Sequence, residues 1–455
     1  MNKVLVANRS EIARRVIRAC RELDYATVAV YSDADRDALH VREADEAVGI
    51  GKPKARESYL NVERLIEAAR ETGADAIHPG YGFLSESARF AEACAEAGIT
   101  FVGPRAGAIA AMGDKAAARR LAGKAGVPVV PGGEAPASGE RVGEEIGYPL
   151  LVKAAAGGGG RGIRTVRDGD ELQGALAVAA REAEAAFGDP SLYIEKLVED
   201  ARHVEVQVLG GSDGQVLHLF ERECSLQRRR QKLVEEAPSP GLSARTREEM
   251  TAASVRLAAA VGYTSAGTVE FLVDRDEHFY FIEMNTRLQV EHGVTEMVTG
   301  VDLVREQLLA AAGEPLELSQ DDVRIDGSAI EFRINAEDPE RDFHPSPGRI
   351  EVAELPGGPG VRVDTAIYAG YSVVPFYDSL IAKLMVWAPT REQALRRGRR
   401  ALGELRIEGI ATTAPLHLRL VDDDRVRAGD VHTGYLEELL APRESTEELA
   451  GPASE

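Results

Sequence analysis

The stretch Gly267–Asn285, GTVEFLVDRDEHFYFIEMN, reads as two apolar strands around a charged turn, and each strand carries one glutamate, Glu270 and Glu283. A carboxylate inside a buried strand is costly unless something compensates it. With the turn centred between Asp276 and Glu277, Glu270 falls directly opposite Glu283. Asn285, two residues on, shares that face. Like charges directly opposite destabilise a sheet. Two carboxylates and an amide oxygen on one face instead form a hard-oxygen set for Mg²⁺, which binds through one or two carboxylates plus substrate phosphates. The competing reading is that one glutamate pairs with an arginine or lies exposed.

Downstream, NTRLQVEHGVTEMVTG (Asn285–Gly300) alternates Arg287, Gln289 and Glu291, so an extended segment puts all three on the side of Glu283 and Asn285. An arginine and an amide orient a small oxyanion, and a carboxylate beside them can take its proton. His292 falls on the other face and is read as structural. Upstream, LLVKAAAGGGGRGIRTV (Leu150–Val166) is a strand with Lys153, four glycines including Gly159 and Gly160, and a second strand. Glycines let backbone N–H groups approach a phosphate. The lysine precedes the loop and no helix follows directly, so this is not a P-loop. It suits a flap over a nucleotide triphosphate, or else a flexible linker. ERECSLQRRRQKLVEEAPSPG (Glu221–Gly241) crowds Arg228, Arg229, Arg230 and Lys232 into what reads as an ordered loop, either anion-binding or a solvated charge run.

Around these motifs, residues 1–110 alternate strands (KVLVAN, ATVAVYS, ADAIHPG, ITFVGP) with amphipathic helices, the rhythm of a parallel doubly wound sheet. The loops NRSE and HPGYGFLSE lie at the carboxyl ends of its strands, where ligands gather. GVPVVPGGEAPASGE reads as a linker into a compact α+β segment, about 133–198, and strands dominate after about 326. The tail APRESTEELAGPASE reads as disordered. The α/β and α+β division is therefore 1–112, 113–325 with the compact segment at about 133–198, 326–440, and a tail 441–455.

The 455 residues carry a net charge of −21, which disfavours nucleic-acid and membrane partners but not a small anion held locally. Nothing reads as a membrane span or a signal peptide. Three scattered cysteines, Cys20, Cys94 and Cys224, fit a reducing cytoplasm rather than a disulfide or zinc framework. Only nine of the 54 basic residues are lysine, so a chain rich in arginine has kept a compact ammonium at few places.

Together the motifs resemble the biotin carboxylases of the ATP-grasp superfamily. The likeness runs over residues 2–440 and is carried by ANRSEIARR, HPGYGFLSE, GPRAGAIAAMGDK, RHVEVQVL, CSLQRRRQKLVEEAPSPG, FIEMNTRLQVEH, EFRINAEDP and AGYSVVPFYDSLIAKL. The resemblance implies an N-terminal doubly wound (pre-ATP-grasp) domain, an ATP-grasp centre with a mobile lid, and a C-terminal β-rich domain. It implies that ATP and bicarbonate form carboxyphosphate, which carboxylates biotin on a separate carrier protein. A carboxyltransferase subunit then serves an acyl-CoA acceptor, with acetyl-CoA the expected one. By family motif, Glu270, Glu283 and Asn285 would hold Mg²⁺ or Mn²⁺. Lys115, Lys153, Gly159 and Gly160 would contact phosphates. Glu195, Lys196, Leu197, Val198, His203, Gln227 and Arg230 would line the nucleotide. Lys232, Arg287, Gln289, Val290 and Glu291 would hold bicarbonate, with Glu291 its base. Arg333 would stabilise the biotin enolate, and Tyr81 and Gly82 would lie by the biotin ring. A homodimer is expected.

The sequence departs from the family pattern at Ser10 (usually glycine), Ala156 (usually glycine), Arg230 (usually histidine) and Gly293 (usually proline). These are expected to alter strand-end packing, the lid, nucleotide affinity and the loop beside Glu291, in that order. Two rival readings keep the metal pair: an ATP-grasp ligase joining an acyl phosphate to an amine, which Arg333 and Tyr81 disfavour, and a nucleotide-binding regulatory subunit without turnover, which the retained Glu291 disfavours.

Overall fold

The structure is a computed structural model that describes residues 1–134, 145–154, 164–187 and 189–441. Ala156, Gly159, Gly160 and the rest of the glycine loop lie outside the described residues, as does the tail from 442.

The N-terminal rhythm produces a five-stranded parallel sheet in the order Glu46–Gly51, Ala26–Ser32, Lys3–Val6, Ala76–His78, Thr100–Phe101. Both faces are covered. Val4 and Val6 pack on helix Ser10–Glu22 through Ile12, Val16 and Ile17. Leu5 and Ile77 pack on Leu65 and Phe90 of helices Val62–Thr72 and Ala88–Glu96. Asn61 caps the first of these through Arg64 N–H at 3.0 Å, and Gly73 at φ +67° ends it in the left-handed turn that glycine favours. The strand order reverses between Lys3–Val6 and Ala76–His78, so the crevice at their carboxyl ends is the binding position of such a sheet. Asn8, Glu11, Tyr81 and Gly82 lie there.

The centre is an eight-stranded antiparallel sheet in the order Phe279–Asn285, Ser265–Val273, Arg202–Gly210, Val216–Arg228, Gln231–Ala237, Ser328–Asn335, Leu380–Ala388, Val361–Thr365. Strand Gln231–Ala237 pairs with Ser328–Asn335, so one sheet runs on across residue 325. Its two faces differ in kind. Val204, Val206, Val208, Val269 and Phe271 bury one face against helices Lys115–Lys124 and Ala244–Ala260. The alternate residues Glu205, Gln207, Thr268 and Glu270 point the other way. The glutamates of the opening stretch thus occupy the second face of a two-faced sheet. A smaller four-stranded sheet, Gly132–Glu134, Leu192–Lys196, Leu150–Ala154, Arg164–Val166, packs under helix Gly169–Phe187 around its own core of Leu150, Val152, Leu172 and Ile194.

Three expectations are corrected here. The basic run is not a loop but a hairpin: Arg228 pairs with Gln231, and Arg229 and Arg230 form the two-residue turn at φ +47° and +69°. Both central residues in the left-handed region is the turn geometry that matches strand twist, although glycine or asparagine fills it more readily. The segment after Asn285 does not stay extended, since helix His292–Thr299 starts immediately after Glu291. Gly293 therefore lies in the first turn of a helix, not in a loosened loop. It is buried, and a Cβ there would meet Met385 Sδ at 2.2 Å, so the methionine fills the space a proline ring would need.

Ser10 opens helix Ser10–Glu22 at φ +61°, a backbone conformation natural to glycine. Cys20, Cys94 and Cys224 are buried and unpaired. Among the described residues no helix is long and apolar enough to cross a membrane.

Candidate active site

Glu270 and Glu283 are cross-strand partners, as the sequence predicts, but the turn is centred on Asp276 rather than between Asp276 and Glu277. Near the hairpin end the pairs are Val273 with Phe279 and Phe271 with Phe281, so Asp274–His278 form a five-residue turn centred on Asp276. Ile282 is then the extra residue of a bulge, and beyond it Glu270 faces Glu283 and Thr268 faces Asn285.

Glu270 lies in a donor-rich nest. Its Oε1 accepts from Lys232 Nζ at 3.0 Å, Asn285 Nδ2 at 2.9 Å and Gln289 Nε2 at 3.0 Å. Its Oε2 lies 3.1 Å from His203 Nε2, and Gln227 Nε2 is 3.4 Å from the other ring nitrogen. Burial would raise this carboxyl, but Lys232 and His203 hold it well below the usual carboxylate range. The Glu283 side chain makes no hydrogen bond among the described residues. Burial and the charge of Glu270 raise it, and Lys115 Nζ approaches only to 3.9 Å. A divalent cation would relieve that repulsion, and the oxygens available are of the hard kind Mg²⁺ takes.

Lys232 is the hub. Its ammonium donates to Glu205 at 2.6 Å, Glu270 at 3.0 Å and Glu291 at 2.7 Å. Burial favours its neutral form, but these three carboxylates push its pKa well above the ordinary value. Glu205 is itself clamped by the fully buried Arg222 at 2.5 Å, whose other nitrogens reach Gln207, Thr268 and Thr295. Glu291, 0% exposed, shares its second oxygen with Arg333 Nη2 at 2.9 Å. Burial would raise the Glu291 carboxyl, but Lys232, Arg333 and Arg222 together hold it well below the usual range. Arg333 is held from behind by Glu235 at 2.5 Å.

Arg287 reaches Asn285 Oδ1 at 3.0 Å, Gln289 Oε1 at 2.8 Å and Glu86 Oε2 at 3.0 Å. Glu86 closes the HPGYGFLSE loop, so the parallel sheet delivers a strand-end carboxylate to this segment. The buried Lys383 donates to Val290 O at 2.8 Å and lies 3.4 Å from Glu11, which accepts from the Tyr81 hydroxyl. His292 is buried with Nδ1 2.8 Å from Gln289 O, a structural role as expected.

The contacts thus join Glu270, Asn285, Lys232, Arg287, Gln289, Glu291, Arg333, His203 and Gln227 in one network, with Glu283 beside it. The nucleotide residues of the small sheet form a second group. Lys153 bonds Glu195, and Lys196 Nζ is tied to Tyr148 O at 2.5 Å and Gly147 O at 3.2 Å. Leu197 N–H donates to Pro149 O at 3.0 Å just past the end of strand Leu192–Lys196, and Val198 follows it. One helix touches both groups: Lys115 lies at Glu283, and Arg119 lies 3.7 Å from Glu195. Arg230, at the hairpin tip, is exposed, while its neighbours Arg228 and Arg229 pair with Asp342.

Sequence reasoning passed over Glu205, Arg222, Glu235, Glu331, Lys383, Glu11 and Glu86. For most of them the signal was present, since each is a charged residue inside a strand or next to a motif already singled out. Their partners are remote in the chain, so no local pattern pairs them.

An antiparallel sheet with a polar, lysine-centred face, a small second sheet beside it and a doubly wound unit at its edge defines the class: an ATP-grasp enzyme. Residues 1–109 match the family described as biotin carboxylase, N-terminal domain, residues 114–319 the carbamoyl-phosphate synthase L chain ATP-binding domain, and residues 331–438 the biotin carboxylase C-terminal domain. The chain is 55% identical to biotin carboxylase 1 of Bacillus subtilis, over 96% of this chain and 98% of that one. It is 53% identical to the 2-oxoglutarate carboxylase small subunit of Hydrogenobacter thermophilus, over 96% and 93%. Its structure is similar to the crystal structure of the biotin carboxylase domain dimer of the Hydrogenobacter thermophilus 2-oxoglutarate carboxylase with MgADP, ADP and bicarbonate, at TM-score 0.89 and 52% identity over 96% and 97% of the two chains. The biotin carboxylase of Campylobacter jejuni in complex with β-γ-ATP gives TM-score 0.91 at 46% identity, over 96% and 98%. The chain belongs to the biotin carboxylase family, ATP-grasp ligases that carboxylate biotin with bicarbonate and ATP.

Proposed function

We propose that this chain performs the first half-reaction of a biotin-dependent carboxylase, on biotin carried by a separate protein. The observation that carries the reading is the continuous chain Glu270–Lys232–Glu291–Arg333, which runs from the carboxylate pair to the cation assigned to biotin. Glu270, Glu283 and Asn285 would hold Mg²⁺ or Mn²⁺, which supplies charge neutralisation at the nucleotide phosphates. Lys115, Lys153, Gly159 and Gly160 are assigned to phosphates, and Glu195, Lys196, Leu197, Val198, His203, Gln227 and Arg230 to the nucleotide.

Lys232, Arg287, Gln289 and the Val290 backbone take bicarbonate, and Glu291 accepts its proton. Before substrate binds, Glu291 is a weak base because Lys232 and Arg333 neutralise it. An anion entering between Lys232 and Arg287 competes with Glu291 for Lys232 and raises the proton affinity of Glu291. Tyr81, Gly82 and Arg333 are assigned to biotin. The division into 1–112, 113–325 and 326–440, a homodimer like that of the Hydrogenobacter relative, a carrier and a carboxyltransferase partner, and a cytoplasmic location complete the reading.

The acceptor is open between classes. The Methanothermobacter thermautotrophicus relative named as part of a pyruvate carboxylase is 52% identical, and the 2-oxoglutarate carboxylase relative 53%. Both match about as well as the relatives named biotin carboxylase. Overall likeness therefore does not favour acetyl-CoA over a keto acid.

The test is bicarbonate-dependent ATP cleavage with and without free biotin. Stimulation by biotin supports the reading. Stimulation only by an amine would support a different ATP-grasp ligase, and nucleotide binding without turnover would support a regulatory role.

A further inference from the structure

A second pair of carboxylates stands face to face in the central sheet. Glu235 of strand Gln231–Ala237 is directly opposite Glu331 of strand Ser328–Asn335, and both are 0% exposed. Glu235 Oε1 accepts from Arg333 Nε at 2.5 Å, whereas Glu235 Oε2 and both oxygens of Glu331 have no hydrogen-bond partner among the described residues. The charged and titratable groups around Glu235 are Arg333, Glu291, Lys232 and the Cys224 thiol. Around Glu331 they are Lys383, Glu235, Arg333, Glu291 and the Tyr81 hydroxyl, with Met385 its neighbour on the next strand.

A buried carboxylate without a donor is not stable as an anion. Glu235 has one donor, Arg333, and Glu331 has none among the described residues, so ionising both of these opposed groups is strongly disfavoured and they titrate as a pair. Glu291 beside them is already ionised and bound to the same guanidinium. With Glu235 and Glu331 both charged, Arg333 would face three carboxylates, and its field on an incoming anion would be cancelled.

We propose that Glu235 and Glu331 share one proton and together act as the positioning pair of Arg333. Glu235 fixes the guanidinium through Nε, and the shared proton keeps it cationic toward substrate. Arg333 Nη1 has no hydrogen-bond partner among the described residues and is left as the free donor. This rests on the assignment of Arg333 to the biotin enolate. The direction of titration agrees: burial pushes the Glu235 carboxyl up to about 7 despite Arg333, and pushes Glu331 well above the carboxylate range.

Two measurements on the full chain test the pair. Infrared difference spectra of the wild type at neutral pH should contain a protonated-carboxyl band that is lost in Glu331→Gln. No such difference overturns the shared proton, whatever the enzyme's substrate. Second, kcat/KM for free biotin in the wild type should fall about tenfold per pH unit once the proton leaves. Glu331→Gln should remove that alkaline limb, because at alkaline pH only the single charge of Glu235 is then left on Arg333, and Glu331→Asp should restore it. An alkaline limb unchanged in Glu331→Gln overturns the positioning role. Absence of all biotin-dependent turnover in the wild type would count against the proposed function, while the infrared result still decides the proton.

Discussion

Glu270 and Glu283 face each other because one residue, Ile282, bulges out of the strand between Phe281 and Glu283. Without the bulge the five-residue turn would set Glu270 against Ile282, and the two carboxylates would fall on opposite faces. The repulsion is left largely on Glu283, since Glu270 is bound to Lys232 and His203.

Removing one charge should therefore separate stability from function. Glu283→Gln relieves a like-charge pair and should stabilise the metal-free protein by about 0.5 kcal/mol. The same variant should bind MgATP more weakly. Thermal melts without metal and calorimetric titration with MgATP measure the two effects, and a fall in both stability and affinity would contradict the assignment.

Glu291 is held between two cations, so its loss affects charge as well as proton transfer. Glu291→Gln should retain ATP binding and lose about 10²–10⁴-fold in bicarbonate-dependent ATP cleavage. Wild-type rates in this variant would remove Glu291 from the reaction.

Ser10 adopts φ +61°, a region that glycine favours. A non-glycine residue in that region costs about 1–2 kcal/mol, partly offset by glycine's greater freedom in the unfolded chain. Ser10→Gly should accordingly stabilise the protein by about 0.5–1 kcal/mol in urea unfolding. A destabilised variant would mean that the Ser10 side chain contributes more than its backbone costs.

Gly293 and Met385 occupy one volume. Gly293→Ala should cost about 1–3 kcal/mol by overpacking against the buried Met385 sulfur. Shortening the neighbour, in Gly293→Ala/Met385→Val, should recover most of it. Additive losses in the double variant would show that the two sites do not share space.

His417 is buried, with Nε2 2.7 Å from Arg333 O, and burial lowers its pKa to about 4. Below the unfolded value near 6.5 the unfolded chain takes up a proton that the folded chain refuses, so this histidine lowers stability as pH falls toward about 4. His417→Gln keeps a donor for the same carbonyl without titrating. The stability of the wild type relative to the variant should drop by about 1.4 kcal/mol per pH unit across that window. Parallel stability curves would show that His417 is protonated in the fold.

The parallel N-terminal sheet was legible because each strand and helix declares itself locally: ATVAVYS became Ala26–Ser32 without adjustment. Likewise the pairing of Glu270 with Glu283 follows from a hairpin short enough for alternation to carry it, although the bulge at Ile282 does not. The hairpin of the basic run was missed because two arginines in a left-handed turn contradict the usual residue preference.

What the sequence by itself determined is the alternating elements of the N-terminal sheet, the family motifs and the acidic pair, since these rest on patterns within a few residues. What only the tertiary structure decided is how charge is distributed. Lys232 meets Glu205, Glu270 and Glu291 from three other segments, Arg333 meets Glu235 across 98 residues, and Glu331 meets none of the bases by a hydrogen bond among the described residues. Protonation follows from burial and from neighbours brought in by strand order. Neither quantity is encoded in the spacing of residues along the chain.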